Sequence, residues 1–197
     1  MLLRGEDIII RTVKQMRPDM VAIYPHVFNK MFIWKFSRYD NRMREKLVAG
    51  KDSEITMDIC MSAAINGKRV IGIVEESEMF ALRREIKKIS CKKLSMVMLV
   101  LKEYSKEDKY PMMPSVGNDL DWIRICVANG QELHDFLIMS VPITEEAQLP
   151  VMLIMDGIVA DRVSEVKIIE DDEQVREFVN KFKVNPRWKF CLTRWQN

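Results

Sequence analysis

The sequence predicts an α/β domain, a doubly wound and mainly parallel sheet with helices on both faces. Three observations point there. Helical and strand-like segments alternate along the chain, as they do when helices cover a parallel sheet. Several strand segments are apolar almost throughout, the pattern of strands buried on both faces. Glycine and proline number only seven each, below the usual ~12% combined, which disfavours a turn-rich β-sandwich. With 197 residues, 48% apolar and 30% charged, the chain can bury one sizeable core and carries no disorder signature.

The elements follow in order. Residues 6–16 put Ile9, Val13 and Met16 on one helical face and stop before Pro18. Residues 20–24 form a short strand closed by Pro25. Residues 27–39 form an aromatic helix, with Phe28, Phe32, Phe36 and Tyr39 at roughly helical spacing. Residues 46–51 leave room for a shortened strand. Residues 54–66 form a helix that Ser53 caps and Gly67 terminates. A buried strand at 69–74 and a helix at 78–89, with Met79, Leu82, Ile86 and Ile89 inward, come next. The run SMVMLVL at 95–101 is the central strand. A long polar loop, 102–119, precedes a strand at 123–127 and a helix at 131–141. The last apolar strand covers 149–155, residues 166–168 extend an edge, and a helix at 172–182 turns Val175, Phe178 and Val179 inward. Five or six strands fit one domain over residues 1–183, with a basic-aromatic tail over 184–197.

Composition and motifs exclude several function classes. The net charge is +2, so the chain as a whole is no polyanion binder and nucleic acid is not an expected ligand. No stretch of ~18 apolar residues could cross a membrane. Arg4, Glu6 and Asp7 stand where a signal peptide needs an apolar run, so a cytoplasmic location is expected. Four scattered cysteines, no C-x-x-C pair and two histidines offer no metal site. Each cysteine reads as a small core hydrophobe, His134 reads as a surface histidine, and no local motif supports a Cys–His nucleophile pair. Neither glycine-rich phosphate motif occurs, and Glu75, Glu76 and Glu78 would repel a phosphate at their helix N-terminus. The basic cluster Arg83, Arg84, Lys87, Lys88, Lys92 and Lys93 reads as a solvated helix face, with a docking patch for an acidic partner as the alternative. The tail residues Arg187, Trp188, Lys189, Phe190, Arg194 and Trp195 pack on the domain or a subunit partner, or stack on bases.

One set of segments carries a family likeness. Residues 5–16, followed by Arg17-Pro18-Asp19-Met20-Val21-Ala22-Ile23-Tyr24-Pro25, resemble an opening helix, an N-P-D-V-V-A strand and a Y-P-I-T-P loop. Ser53-Glu54 through Gly67-Lys68-Arg69-Val70 is similar to S-E-H-S-A … A-A-G-A-R-V. Asn129-Gly130-Gln131-Glu132-Leu133-His134-Asp135 matches N-x-Q-E-A-Y-D, and Leu149 through Gly157 matches L-P-V-M-V-x-x-D-G-F. In this order the motifs resemble the N-terminal, pyrimidine-binding domain of the alpha subunit of 2-oxoacid:ferredoxin oxidoreductases, thiamine-diphosphate enzymes acting on pyruvate and related acids. The likeness runs over residues 5–182.

The resemblance implies the thiamine-diphosphate-binding fold of the pyrimidine-domain type. It also implies a cofactor, thiamine diphosphate with Mg²⁺, shared with a diphosphate-binding partner because no G-D-G motif occurs here. Glu54 matches the family's catalytic glutamate, which hydrogen-bonds the aminopyrimidine; as a plain residue it is equally a favourable first-turn acid. Tyr24 and Pro25 match the cofactor loop. His26 and Val27 stand where the loop carries its substrate-binding threonine region, and Lys102 lies nearest to the family's substrate-clamping arginine. The loop T-S-S-Q-G is replaced by Glu75-Glu76-Ser77-Glu78.

Two functions follow from this reading. One is a divergent alpha-subunit-like component of a 2-oxoacid oxidoreductase with ferredoxin as acceptor. The other is a non-catalytic structural or regulatory relative that keeps only the subunit-pairing surface. Phe28, Phe32, Trp34, Phe36 and Tyr39 are too many rings for one buried stripe. A homodimer or hetero-oligomer is therefore expected, with Phe32, Trp34, Met57 and Met61 at the interface.

Overall fold

Two sheets organise the computed structural model, which describes residues 1–24, 34–36, 38, 47–49, 52–102, 121–156, 159 and 162–181. Strand β1 (Leu2–Arg4) pairs antiparallel with β8 (Val163–Glu165) in a small ribbon. The main sheet contains β2 (Met20–Ile23), β3 (Leu47–Ala49), β4 (Val70–Glu75), β5 (Val97–Lys102), β6 (Ile123–Val127) and β7 (Val151–Asp156). Their order is β3-β2-β4-β5-β7-β6, and all five pairings are parallel. Helices α1 (Gly5–Met16), α5 (Gly130–Ala147) and α6 (Asp172–Asn180) pack together on one face. Helices α2 (Ser53–Ile65) and α4 (Arg83–Cys91) pack together, and the short α3 (Glu76–Met79) lies against β4 and β5. The expected doubly wound parallel sheet is the observed one.

The apolar strands earn their composition by position. Every residue of β5 is buried, because β4 and β7 flank it and helices cover both faces. At the sheet edge β6 is only partly buried and exposes Cys126. On α1, Ile8, Ile9, Val13 and Met16 face the core.

Several elements depart from expectation, each for a packing or capping reason. Asp52, not Ser53, caps α2 by accepting from the Ile55 N–H at 3.0 Å; Ser53 is thereby freed to donate to Glu78 at 2.5 Å. The other end behaves as predicted. Gly67 has φ 72° and the N–H groups of Gly67 and Lys68 reach the carbonyls of Ala64 and Ala63, a left-handed glycine stop. The single helix expected over 78–89 is broken at Phe80–Leu82, which lets both Met79 and Leu82 be buried while Phe80 stays 77% exposed. Helix α5 runs through Pro142 to Ala147 because Val141, Pro142, Thr144 and Glu145 are all buried on it. Tertiary burial outweighs the hydrogen bond that proline removes. The edge strand lies at Val163–Glu165 rather than 166–168, and its partner β1 was not anticipated.

His134, expected on the surface, is fully buried between α1 and α5, with Nδ1 2.9 Å from the Thr12 hydroxyl. Cys91 and Cys126, expected in the core, are exposed; Cys60 is buried as expected. Cys191, the aromatic positions Phe28, Phe32 and Tyr39, and the tail lie outside the described residues.

Candidate functional site

Parallel strands all end on one edge, and the polar residues that follow apolar strands gather there. Tyr24 follows β2, Glu75 closes β4, Lys102 closes β5 and Asp156 closes β7. The N-terminal turn of α2 belongs to the same edge, since Ser53 donates to Glu78 just past the end of β4. The ends of β2 and β4 and the ends of β5 and β7 lie side by side along this edge. Crevices at such strand ends are where open α/β sheets bind ligands.

At the first crevice, Tyr24 is 1% exposed and its hydroxyl donates to Met57 Sδ at 3.0 Å. Burial pushes the pKa of that hydroxyl far above its usual range, with Cys60 adding to the shift. Burial likewise pushes the Cys60 thiol up to about 12. Tyr24, Met57 and Cys60 thus form a neutral, packed floor and not a reactive group. Met57, expected at a subunit interface, is core: it lies on the inward face of α2 with 0% exposure, covering Tyr24. Met61 is half-buried and packs against the core cluster. The helix's outer face carries Ile55 (62% exposed), Ile59 (40%), Asp58 and Glu54.

Glu54 is exposed in the first turn, and among the described residues it makes no hydrogen bond or ion pair. Glu75, Glu76 and Glu78 crowd the adjacent strand end. Pro25, His26 and Phe32 lie outside the described residues. Trp34 is 51% exposed under the Arg38 guanidinium, 4.5 Å from the ring centre, while Phe36 is buried.

The second crevice holds a cavity of about 390 Å³. Lys102, itself 7% exposed, lines it together with Cys126, Asn129, Asp156, Arg162 and an apolar wall of Val127, Ile154 and Val159. Sequence reasoning found Lys102 and missed the rest of this group. The usable signal was a polar residue directly after an apolar strand, which Asp156 supplies at the end of β7. Arg162 offered no such signal, because only the ribbon β1–β8 brings it near. Among the described residues no group of three or more histidine, cysteine or carboxylate side chains could hold a metal ion, and no helix is long and apolar enough to cross a membrane.

Comparison with known proteins finds relatives in both sequence and fold. Over 190 residues the chain is 27% identical to the pyruvate synthase subunit PorA of Thermotoga maritima, covering 91% of this chain and 48% of that protein. It is 25% identical over 194 residues to the PorA subunit of Methanocaldococcus jannaschii, covering 92% and 49%. The chain thus spans about half the length of these curated relatives. Among solved structures, a 2-oxoglutarate:ferredoxin oxidoreductase from Magnetococcus marinus shares the fold with a TM-score of 0.72 at 12% identity, over 88% of this chain and 32% of that one. The family model for pyruvate flavodoxin/ferredoxin oxidoreductase, thiamine-diphosphate-binding, matches residues 93–191. Fold and sequence agree, and the chain belongs to that pyruvate flavodoxin/ferredoxin oxidoreductase family of thiamine-diphosphate-binding domains.

Proposed function

We propose that the chain is the pyrimidine-binding component of a thiamine-diphosphate-dependent 2-oxoacid:ferredoxin oxidoreductase, completed by a partner that holds the diphosphate and its Mg²⁺. The observation that carries this reading is Glu54, an exposed carboxylate on the ligand-binding edge with no protein partner among the described residues. A carboxylate in that state can exchange a proton with a ring nitrogen of an aminopyrimidine. The residues present fit the pyrimidine and not the diphosphate, since Glu75, Glu76 and Glu78 would repel an anion.

When bound, thiamine diphosphate supplies the carbanion-stabilising centre that decarboxylation of a 2-oxoacid requires. The chain's own contribution is narrower. Glu54 holds the proton at the pyrimidine nitrogen. Tyr24 positions α2 through Met57, with its own side chain spent on that contact, and Pro25 continues the cofactor loop. Lys102 faces the substrate carboxylate, and the family likeness assigns His26 to substrate binding as well. Lysine is a point charge where the family's arginine is a planar fork, so pyruvate is expected to be a poor substrate. Electrons pass to ferredoxin. Trp34, with Phe32 and Met61, contributes to the subunit contact; Met57 does not.

The test combines two measurements. Calorimetric titration of the isolated chain with Mg²⁺ and thiamine diphosphate should give a Kd weaker than about 1 μM, near −8 kcal/mol, and a diphosphate-binding partner should tighten it. In that complex Glu54→Gln should lower turnover by about 10²–10⁴-fold with an unchanged melting temperature. A complex that forms without any turnover would instead support the non-catalytic reading, and turnover that survives Glu54→Gln would remove Glu54 from the chemistry. That second reading is favoured by one feature: Glu78, hydrogen-bonded to Ser53, sets another carboxylate beside the start of α2 where the family has a neutral loop.

A further inference from the structure

Residues 166–171 join β8 to α6 without regular structure of their own, yet groups from other elements tie down their backbone. The Val166 N–H donates to the Met1 carbonyl at 2.8 Å. The Lys167 N–H donates to Gln131 Oε1 at 2.8 Å, and Gln131 Nε2 donates back to the Lys167 carbonyl at 3.1 Å. Gln15 Nε2 donates to the Ile169 carbonyl at 2.6 Å. A further tie is the Ile169 N–H, 3.5 Å from His134 Nε2. The segment is a strap laid across α1 and α5.

His134 makes one of these ties conditional. A backbone N–H can only donate, so Nε2 is an acceptor and the ring proton sits on Nδ1, which donates to the Thr12 hydroxyl at 2.9 Å. Protonation would add an N–H on Nε2 that faces the Ile169 N–H, two donors without an acceptor. The ring is 0% exposed, so no solvent oxygen relieves that clash while the strap is closed. Burial holds the ring neutral, Asp135 on α5 favours its protonation, and Arg11 on α1 opposes it. Among the described residues neither β8 nor α6 adds a charge that acts on the ring; Asp172 of α6 accepts from Gln15 Nε2 instead. Of the strap's partners, the imidazole is the group that changes charge in mild acid.

The strap also supports one wall of the cavity at the carboxyl edge. Strands β1 and β8 are three residues each, and a two-stranded ribbon of that length is marginal by itself. Buried Val166, at the start of the strap, anchors it, and Ser164 and Val166 crowd the α5 backbone at Gly130. Arg162 and Ser164, at the start of β8 and within it, line the cavity. We propose that residues 166–171 are an acid-released latch: protonation of His134 frees the strap from α1 and α5 and loosens the β8 wall of the cavity with it.

Hydrogen exchange of the full chain between pH 7.5 and 5.0, with labelling times scaled to the intrinsic chemical rate, tests this without cofactor or partner. Below about pH 6.5, where a released ring takes up its proton, the Ile169 amide should lose protection by about tenfold per pH unit until the closed ring titrates as well. Residues 163–165 should follow it, while the amides of β5 keep their protection. His134→Gln does not titrate and should flatten the profile of the strap. Gln131→Ala removes two ties and leaves the ring, so it should lower strap protection at every pH with the slope unchanged; this variant serves if His134→Gln does not fold. Long-range proton–nitrogen NMR of the ring should show Nδ1 protonated at pH 7.5. A ring protonated on Nε2 at that pH, or a strap whose protection ignores pH, overturns the latch. So does a slope that survives His134→Gln, or β5 losing protection in step with the strap, which is global acid unfolding. A strap that opens while residues 163–165 stay protected overturns the link to the cavity wall.

Discussion

The Arg69 guanidinium binds both carboxylate oxygens of Glu145, at 2.6 and 3.2 Å, and also the Val179 carbonyl and the Asn180 side chain. It thereby joins the start of β4 to α5 and α6. Burial raises the Glu145 carboxyl above its ordinary range, and Arg69 pulls it back. Removing the cation leaves a carboxylate whose side chain is 2% exposed without its counter-charge. Arg69→Met should cost about 3–5 kcal/mol in urea unfolding, and the double variant with Glu145→Leu should recover much of it. His134 belongs to the same scale. Burial lowers its basicity, Asp135 opposes that shift and Arg11 adds to it. A histidine whose folded value is depressed stays neutral in the native state while the unfolded chain takes up a proton. Its stabilising effect is therefore complete above about pH 6.5 and lost as pH falls below that value. Thermal unfolding of wild type and His134→Gln between neutral and mildly acid pH should show the slope shrink in the variant.

At the level of elements, the start of α5 is set by a side chain that is missing. A Cβ on Gly130 would stand 2.9 Å from Ile8 Cδ1, 3.0 Å from Ser164 Cβ and 3.1 Å from Val166 Cγ2. Helix α1 and the segment after β8 press on the helix at that point, and overpacking of this kind costs about 1–3 kcal/mol. Gly130→Ala should lower stability by that amount, measured by denaturant titration, although alanine is the better helix former. The asparagine and glutamate that close the first turn were legible as a motif, N-G-Q-E. The close approach was not, because it involves Ile8, Ser164 and Val166, all distant from Gly130 in sequence. Helix α2 shows a different limit. Its apolar residues surround the axis, so periodicity alone could not say that Met57 and Cys60 point inward and Ile55 and Ile59 outward.

For the whole molecule, exposed Ile55, Ile59, Phe80 and Trp34 are more large apolar surface than an isolated domain needs to show. The chain is expected to associate with itself or with a partner subunit. Light scattering at micromolar concentration should report more than one protomer's mass, and Trp34→Ala should reduce it. A strictly monomeric wild type that captures no diphosphate-binding partner in a pull-down would remove the interface from Trp34.

What the sequence determined by itself is the class of fold and the family. Unbroken apolar strands such as 95–101 can only be central in a covered parallel sheet, and motif order along the chain survives divergence at individual sites. The Gly67 stop was equally local, since a positive φ demands glycine whatever surrounds it. Tertiary structure alone decided the rest. It buried His134, whose charged neighbours in sequence suggested a surface, because Thr12 on α1 meets it across the helix interface. It carried α5 past Pro142, turned Met57 onto Tyr24, and brought Arg162 to Lys102 through the β1–β8 ribbon. These are contacts between residues distant in sequence, where burial energy outweighs local propensity, and no local pattern encodes them.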